Sequence, residues 1–313
     1  MMPVSKALYL AFSLSVLTAC DSLGPQSVSR SHSLYGEAIS TSLNEQFLQN
    51  LVRLRYRESP YFLEVGSVTS SLSFESAAGL EAAIPKRGGG GLFQPAVGAG
   101  YSNSPTISYT PLQGEEFLRK VLFAVPLESL FVLMESGWRA DRVLGICVER
   151  INDLENASSA SGPTPDSPPE DFKDFDRLLK LLESVRGREL IRYSIDPDSK
   201  ELLLEIRADP TDNGAIREIK NLLGLSLDQD VFPVTSNALK RDANTIFIRT
   251  RSIMSILFYL SQTVDTPEEH ERAGYVSVTR NDDGTSFDWG STPGGRLFRV
   301  QESARKPRSA FLA

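Results

Sequence analysis

The sequence predicts an α+β protein, in which an N-terminal helix and a long β-hairpin precede a β-α-β-β-α-β unit of ferredoxin-like outline. Three observations lead to this class. Apolar residues recur every three or four positions over 34–57, which is typical of an amphipathic helix. Apolar and polar residues alternate over 68–84 and again over 93–109, which is typical of strands. After residue 138, strand-like and helix-like stretches follow one another in the order of the split βαβ motif.

The helix predicted over 34–57 has one apolar face and ends before Pro60. That face consists of Ile39, Leu43, Phe47, Leu51 and Leu54. The last turns carry Arg53, Arg55 and Arg57, and cations near a helix C-terminus are favourable for the helix dipole. Contact of these three arginines with anionic lipid headgroups is an alternative role.

The two alternating stretches flank the four glycines 88–91, so they predict one long hairpin over 68–109. Each arm exceeds the roughly 9–11 residues that a tilted strand needs to cross a bilayer. Such a hairpin could span a membrane if several subunits together paired its edges. The other interpretation is a twisted hairpin that packs its apolar face on the protein's own helices. Pro95 and Pro105 favour this packed arrangement, because proline suits an edge strand or an irregular loop.

Two core helices complete the region 34–137. They are predicted between Gly114 and Gly137, and the second begins at Pro126. The neighbouring glutamates 115 and 116 are typical of a charged helix start rather than a catalytic pair, because adjacent helix residues point in different directions.

The region 138–266 is predicted to be an α+β domain, with two helices on one face of a four-stranded antiparallel sheet. Its elements are a strand over 142–151, a helix over 170–186, strands over 189–195 and 201–208, a helix from Thr211 or Asp212 to Leu223, and a strand over 245–250. The segment 230–234 is either an extra strand or a competitor for the fourth position. The loop 156–169 is rich in serine and proline and is predicted to be mobile.

The C-terminal part begins with an apolar helix over 253–264, capped by Ser252 and too short to span a bilayer. Residues 267–313 are predicted to form an extended segment. Its short extended pieces are expected around 275–279, 285–289 and 296–300. The chain stops in the apolar run 309–313, which leads to the hypothesis that this segment is truncated.

Composition and motifs argue against several classes of function. The formal charge of −7 disfavours nucleic-acid binding, which needs a basic face. The chain contains no Gly-x-Ser-x-Gly elbow, no paired zinc-ligand spacing and no phosphate-binding Gly-x-x-x-x-Gly-Lys motif. Cys147 lies in an apolar stretch that predicts a buried, inert thiol, and Asn281-Asp282-Asp283-Gly284 predicts a turn rather than a calcium site. No cofactor, metal or catalytic residue is therefore predicted.

The N-terminus has the pattern of a secretory signal, in which Lys6 precedes a short apolar run that ends at Leu17. The next residues complete Leu17-Thr18-Ala19-Cys20, which resembles the lipobox of bacterial lipoproteins. The resemblance implies that residues 1–19 are a signal peptide, that Cys20 carries acyl chains such as palmitate, and that 20–33 form a tether. Two or three acyl chains, at about 0.8 kcal/mol per buried methylene, anchor a protein firmly to a membrane.

These inferences predict a lipid-anchored protein of the bacterial envelope that faces the periplasm and has a non-enzymatic structural or assembly role. Its partners would be the membrane, through Cys20, and either a second copy of itself or another envelope protein. The first alternative is an oligomeric outer-membrane pore that uses the 68–109 hairpin, and the second is a lipid-anchored carboxylate hydrolase. Asp21 resembles an inner-membrane retention signal whereas a spanning hairpin requires the outer membrane, so the sequence leaves the membrane undecided. The stretch 44–57 is similar to uncharacterised bacterial lipoproteins.

Overall fold

The computed structural model describes residues 34–82, 93–163, 165, 167–169, 171–185, 187–208, 214–240 and 242–301. These residues form two compact units, and the predicted α+β class is confirmed. The first unit combines 34–39 with 61–112, and the second combines 40–60 with the described residues from Gln113 onward. The signal peptide, Cys20, the tether, the glycine-rich turn and the apolar C-terminal end were predicted at positions that lie outside the described residues.

The hairpin predicted from alternation is present in the first unit. Strand β1 (Leu63–Ala82) pairs with β2 (Phe93–Pro111) in antiparallel register along their whole length. A bulge between Val65 and Ser67 leaves Gly66 as the extra residue. Glycine suits this position because a bulge brings backbones close together, and a Cβ on Gly66 would lie 3.2 Å from the Thr110 hydroxyl.

Helix α1 runs over 34–55, as the 3.6-residue period predicts. Its apolar face is unevenly covered along its length. Leu51 and Leu54 are buried in the second unit, whereas Leu43 and Phe47 remain about 40% exposed. The Phe47 ring meets that of Phe298 edge to face, with 6.0 Å between ring centroids. The last turns of α1 therefore provide most of its packing in this unit.

The second unit is built on a six-stranded mixed sheet with the lateral order β4-β3-β8-β7-β6-β5. Its strands are β3 (Val148–Ile151), β4 (Leu154–Glu155), β5 (Ile191–Ile195), β6 (Leu202–Ile206), β7 (Val231–Thr235) and β8 (Ile246–Thr250). All neighbours are antiparallel except β7 and β8. Pro233 is tolerated inside β7 because pairing with β8 begins only at Val234, so at Pro233 the strand has β6 on one side alone.

Besides α1, the described residues of the second unit contain seven α-helices and one π-helical turn, some before and between the strands of this sheet and two after its last strand, β8. They are α2 (Gly114–Phe117), a π-helical turn (Leu118–Leu122), α3 (Leu127–Glu135), α4 (Ala140–Cys147), α5 (Lys173–Ser184), α6 (Ala215–Leu222), α7 (Ile253–Ser261) and α8 (Glu268–Arg272). Apolar side chains of α3 to α6 and of the sheet form the main core. Ser252 caps α7 as predicted, and its hydroxyl accepts a hydrogen bond from the Ser255 amide. Among the described helices, none combines the length and the apolar character needed to cross a membrane.

The order β-α-β-β-α-β is present along the chain as β3, α5, β5, β6, α6 and β8. The sheet nevertheless differs from the four-stranded antiparallel one predicted. Strand β7, which the segment 230–234 indicated, lies between β6 and β8 and pairs with β8 in parallel. Strand β4 extends the opposite edge.

Three local predictions are corrected. The strand predicted over 142–151 is helix α4 up to Cys147, because a short apolar run does not by periodicity separate a buried strand from a buried helix. The loop predicted to be mobile over 156–169 begins with Asn156, Ala157 and Ala160 fully buried. The segment from 267 onward contains α8, two short 3-10 helices and isolated bridges instead of extended strands.

A second, smaller core explains why this last segment is folded. Tyr259 and Trp289 are buried there with Ala157 and Ala160, and Phe287 packs against them. Gly294 passes so close to Tyr259 that a Cβ would lie 2.5 Å from Cε1. The Tyr259 hydroxyl donates to Thr292 Oγ1 over 2.9 Å and accepts from the Gly294 amide over 2.9 Å.

Candidate functional site

An apolar cavity of about 320 Å³ lies in the second unit, between α3 to α6 and one face of the sheet. Its volume is within the range of ligand-binding pockets, roughly 300–1,000 Å³, and about twice that of an engineered 150 Å³ cavity that takes up benzene. The floor of the cavity is made by strands β6 and β8, through Ile206, Ile246 and Ile248, with Ile219 from α6. These four side chains are at most 4% exposed, so the cavity reaches into the main core.

Aromatic side chains form one wall of the cavity. Phe131 of α3 and Tyr193 of β5 pack with 5.2 Å between ring centroids. Trp138 follows α3 and is 59% exposed. Gly137 ends the helix with φ at +95°, and its amide donates to the Met134 carbonyl over 3.1 Å. Because this left-handed conformation suits glycine, Gly137 turns the chain so that Trp138 stands at the cavity.

We call the exposed lining residues the mouth of the cavity; they are Glu135, Trp138, Gly187, Glu189 and Arg192. Helices α3 and α5 both end here. Neither helix has a basic residue in its last turn, and each has a glutamate there, Glu135 in α3 and Glu183 in α5. This reverses the usual preference, since the negative end of a helix dipole favours cations.

Two of the three glutamates in the lining have an arginine beside them. Glu183 lies 3.4 Å from Arg139 Nη1, and Glu189 lies 3.0 Å from Arg192 Nη2. Within the described residues, Glu135 forms no ion pair. The mouth therefore has a residual negative charge, located at the C-terminus of α3.

The three arginines singled out at the end of α1 lie in different surroundings. Arg55 is 9% exposed and lines a second, polar cavity of about 240 Å³, where Nη1 donates to the Ser277 carbonyl over 2.7 Å and to Gln262 Oε1 over 3.2 Å. Burial lowers the pKa of Arg55, although Glu271 opposes this effect. Arg53 donates to the Ser59 carbonyl, and the exposed Arg57 donates to the Ser277 hydroxyl. Contact of these arginines with lipid headgroups stays a prediction.

His270, one of two histidines in the chain, packs between two tyrosines. Its Nδ1 lies 2.7 Å from the Tyr56 hydroxyl, and the Tyr275 ring meets it edge to face. Together with the contacts of Arg55, this joins the end of α1 to the segment after α7. These contacts account for the position of His270 without a ligand.

Arg251 is the largest fully buried side chain in the described part of the chain, and sequence reasoning missed it. Its guanidinium donates to the carbonyls of Ile146, Val148, Asn156 and Ala157 and to the Ser161 hydroxyl. The guanidinium lies over the Tyr259 ring, 4.4 Å from its centroid. Burial lowers the pKa of Arg251. The side chain ties the 156–161 loop to the α4–β3 junction, which is a structural role.

The two remaining predicted features are accounted for by local structure. Burial raises the pKa of the Cys147 thiol, with Arg251 opposing, which disfavours the reactive thiolate. The stretch 281–284 forms a turn closed by the Asn281 amide, which donates to the Thr285 carbonyl. Within the described ranges, no three Asp, Glu, His or Cys side chains come together as metal ligands.

Comparisons with protein-family models, with curated proteins and with solved structures gave no match. The kind of site is therefore inferred from the residues that form it. The apolar cavity has a buried floor, an aromatic wall and an acidic mouth, which are features of a site for a small molecule. Sequence reasoning missed this cavity because its residues come from eight separate elements, α3 to α6 and β3, β5, β6 and β8.

Proposed function

We propose that this protein is a lipid-anchored protein of the bacterial cell envelope, facing the periplasm, with a non-enzymatic structural or assembly role. Residues 1–19 would be removed as a signal peptide, Cys20 would carry the acyl chains, and 20–33 would separate the folded units from the membrane. The lipobox-like residues Leu17-Thr18-Ala19-Cys20 support the anchor. Two or three acyl chains provide enough buried methylene groups for stable attachment.

The observation that carries the assembly role is the hairpin of the first unit. Strands β1 and β2 contain 20 and 19 residues, and among the described residues each pairs only with the other. A two-stranded ribbon is marginally stable in water, and both of its outer edges present unpaired backbone groups. Pairing with a strand of another envelope protein, or of a second copy, would satisfy those groups. The hairpin therefore supports a protein that assembles with a partner.

The anchor is tested by growing cells with radioactive palmitate and comparing three proteins. The wild-type protein and Cys147→Ser should incorporate label, because both keep Cys20. Cys20→Ser should not, although it keeps Cys147, the only other cysteine in the chain. Label that persists in Cys20→Ser, or a wild-type protein without label, would contradict the anchor. The Cys147→Ser protein controls for the loss of a thiol as such.

A second candidate is an oligomeric outer-membrane pore that uses the same hairpin. The length of β1 and β2 favours it, since each strand exceeds the roughly 9–11 residues that cross a bilayer. Light scattering on Cys20→Ser protein without residues 1–19, in detergent-free buffer, separates the two candidates. A soluble monomer there would rule out the pore, and a defined oligomer that forms only in detergent would support it.

Fractionation of inner and outer membranes gives an independent measurement. The pore candidate requires the wild-type protein in the outer membrane, because the hairpin would have to span that bilayer. Recovery in the inner membrane would agree with the signal that Asp21 resembles and would exclude the pore. The assembly role is compatible with either membrane.

A further inference from the structure

We infer that the apolar cavity of the second unit binds a small amphiphile with one alkyl or aryl group and a cationic head. This inference does not depend on the anchor at Cys20 or on the hairpin. It rests on the floor, the wall and the mouth of the cavity, each of which selects one part of the ligand.

The floor and the depth of the cavity select the apolar group. Ile206, Ile219, Ile246 and Ile248 expose no polar side-chain atom to the space, and all are buried. An apolar group that enters a cavity of this size gains dispersion contacts with its lining, which favours binding. About 320 Å³ holds one chain or ring system and is too small for the several acyl chains of a whole lipid.

The mouth selects the charge of the head. Residues at the C-terminal ends of α3 and α5 line the cavity, and both helices have a glutamate rather than a basic residue in the last turn. A glutamate at a helix C-terminus is unfavourable for the helix dipole, and for Glu135 no ion pair among the described residues offsets this cost. Arg192 pairs with Glu189, and Glu183 shares Arg139 with Asp141. Glu135 has no such pair among the described residues and is therefore the carboxylate that we assign to the ligand head.

Trp138 selects the same kind of head independently. Its ring is 59% exposed and stands at the mouth three residues after Glu135. Indole is the best aromatic partner for an ammonium group, through attraction to the face of the ring. A carboxylate or phosphate head would instead meet the Glu135 carboxylate and the negative ends of two helix dipoles. The ligand class is therefore an alkyl or aryl ammonium compound rather than a fatty acid.

The test uses three probes that share a ten-carbon chain and differ in the head, namely decyltrimethylammonium, decanol and decanoate. Their binding to the Cys20→Ser protein, which has no acylation site, is measured by calorimetry below micellar concentration. We expect saturable binding of decyltrimethylammonium at one site, roughly tenfold tighter than binding of decanoate. The absence of saturable binding, or decanoate binding as tightly as the ammonium probe, would overturn the inference.

A cavity-filling variant locates the probe. Ala140 lines the cavity at the start of α4, so Ala140→Phe should weaken decyltrimethylammonium binding by roughly tenfold or more. Ala273→Phe is the matched control, because Ala273 is exposed after α8 and lies outside the lining. Unchanged binding to Ala140→Phe would place the probe elsewhere and overturn the inference.

Variants of the exposed Glu135 test the head even if Ala140→Phe does not fold. Glu135→Gln should weaken binding of the ammonium probe several-fold and leave decanol binding unchanged, which a purely structural role of Glu135 would not do. Glu135→Lys should reverse the preference and favour decanoate. A Glu135→Lys protein that folds, as judged by circular dichroism, and still prefers the ammonium probe would contradict the assigned role of the mouth.

Discussion

Arg251 shows how a single side chain can hold several segments together. Its guanidinium has backbone carbonyls as its main partners, and it is buried against the Tyr259 ring. No carboxylate lies within ion-pair distance of it among the described residues, so its charge is balanced by peptide dipoles. Substitution would leave those buried carbonyl oxygens without donors, and this is more costly than the loss of an exposed charge.

We predict that Arg251→Met lowers the free energy of unfolding by at least about 3 kcal/mol, because each buried acceptor left unsatisfied costs roughly 1–3 kcal/mol. Urea denaturation followed by circular dichroism measures the change. Arg249→Met is the matched control, since the Arg249 side chain is 64% exposed and lies 3.7 Å from Glu149. Because Arg249 is open to solvent, its contact with Glu149 should contribute about 1 kcal/mol or less. Equal losses in the two variants would mean that the carbonyl contacts of Arg251 contribute little.

At the scale of single residues, the sequence predicted the cap of α7 correctly, placed the cap of α6 at Thr211 or Asp212 instead of Gly214, and missed the buried charges. The Ser252 cap depends only on neighbours along the chain, so a local pattern was sufficient to find it. Arg251 and Lys220, which is 2% exposed and pairs with Asp230, depend on residues brought together by the fold. Charged residues are usually exposed, and nothing in the local sequence distinguishes these two.

At the scale of elements, the C-terminal segment is the part that departs most from the extended structure predicted. Within this segment, Gly294 packs closely against Tyr259. A Cβ at position 294 would lie 2.5 Å from Tyr259 Cε1 and 3.0 Å from the Gly145 carbonyl oxygen. A rigid ring and a backbone oxygen cannot move aside cheaply. The segment is therefore held in place by steric fit as well as by the hydrogen bonds of the Tyr259 hydroxyl.

We predict that Gly294→Ala destabilises the protein by about 1–3 kcal/mol, as overpacking of a core usually does. It should also make the segment after α7 more susceptible to limited proteolysis, measured by mass spectrometry of the first fragments. Gly162→Ala is the control, because an added Cβ there meets no atom within 4 Å. A Gly294→Ala protein as stable and as resistant as the control would show that the packing at Tyr259 can relax.

Elements with a long, regular period were predicted well. Helices α1 and α5 and the hairpin were found with ends shifted by a few residues. Helix α4 was taken for a strand because its eight residues make only about two turns. The lateral order of the sheet was beyond local patterns, since it depends on which strands meet across long sequence separations. The acids before Gly137 and Gly187 are the sequence signal that could have indicated the cavity mouth.

At the scale of the second unit as a whole, one ion pair connects the main core to the C-terminal segment. Asp176 of α5 accepts hydrogen bonds from Arg296 and lies 2.8 Å from Lys180 Nζ. Burial alone would raise the pKa of Asp176, but the hydrogen bonds from Arg296 and Lys180 outweigh this effect and lower it. A lowered pKa means that the folded protein takes up this proton less readily than the unfolded chain does.

We predict that Asp176→Asn is less stable than the wild-type protein at pH 7 and that the difference shrinks as the pH falls. The contribution of the ionised Asp176 is fully present above the unfolded pKa, about 3.9, and is lost as the pH decreases through the lower folded pKa. Urea denaturation of both proteins between pH 7 and pH 3 checks this. A difference that stays constant over that range would mean that the ion pair does not contribute to folding stability.

The contacts at the end of α1 have a consequence for the timing of folding. Arg55 bonds to Gln262 and Ser277, which follow it by 207 and 222 residues, and Tyr56 meets His270 after 214 residues. Contacts between residues so far apart in sequence form slowly. Helix α1 therefore cannot complete its docking until the chain up to about Ser277 is available. For a chain exported by a signal peptide, the function that we propose for residues 1–19, such a delay would be useful, because folding before export would hinder its passage.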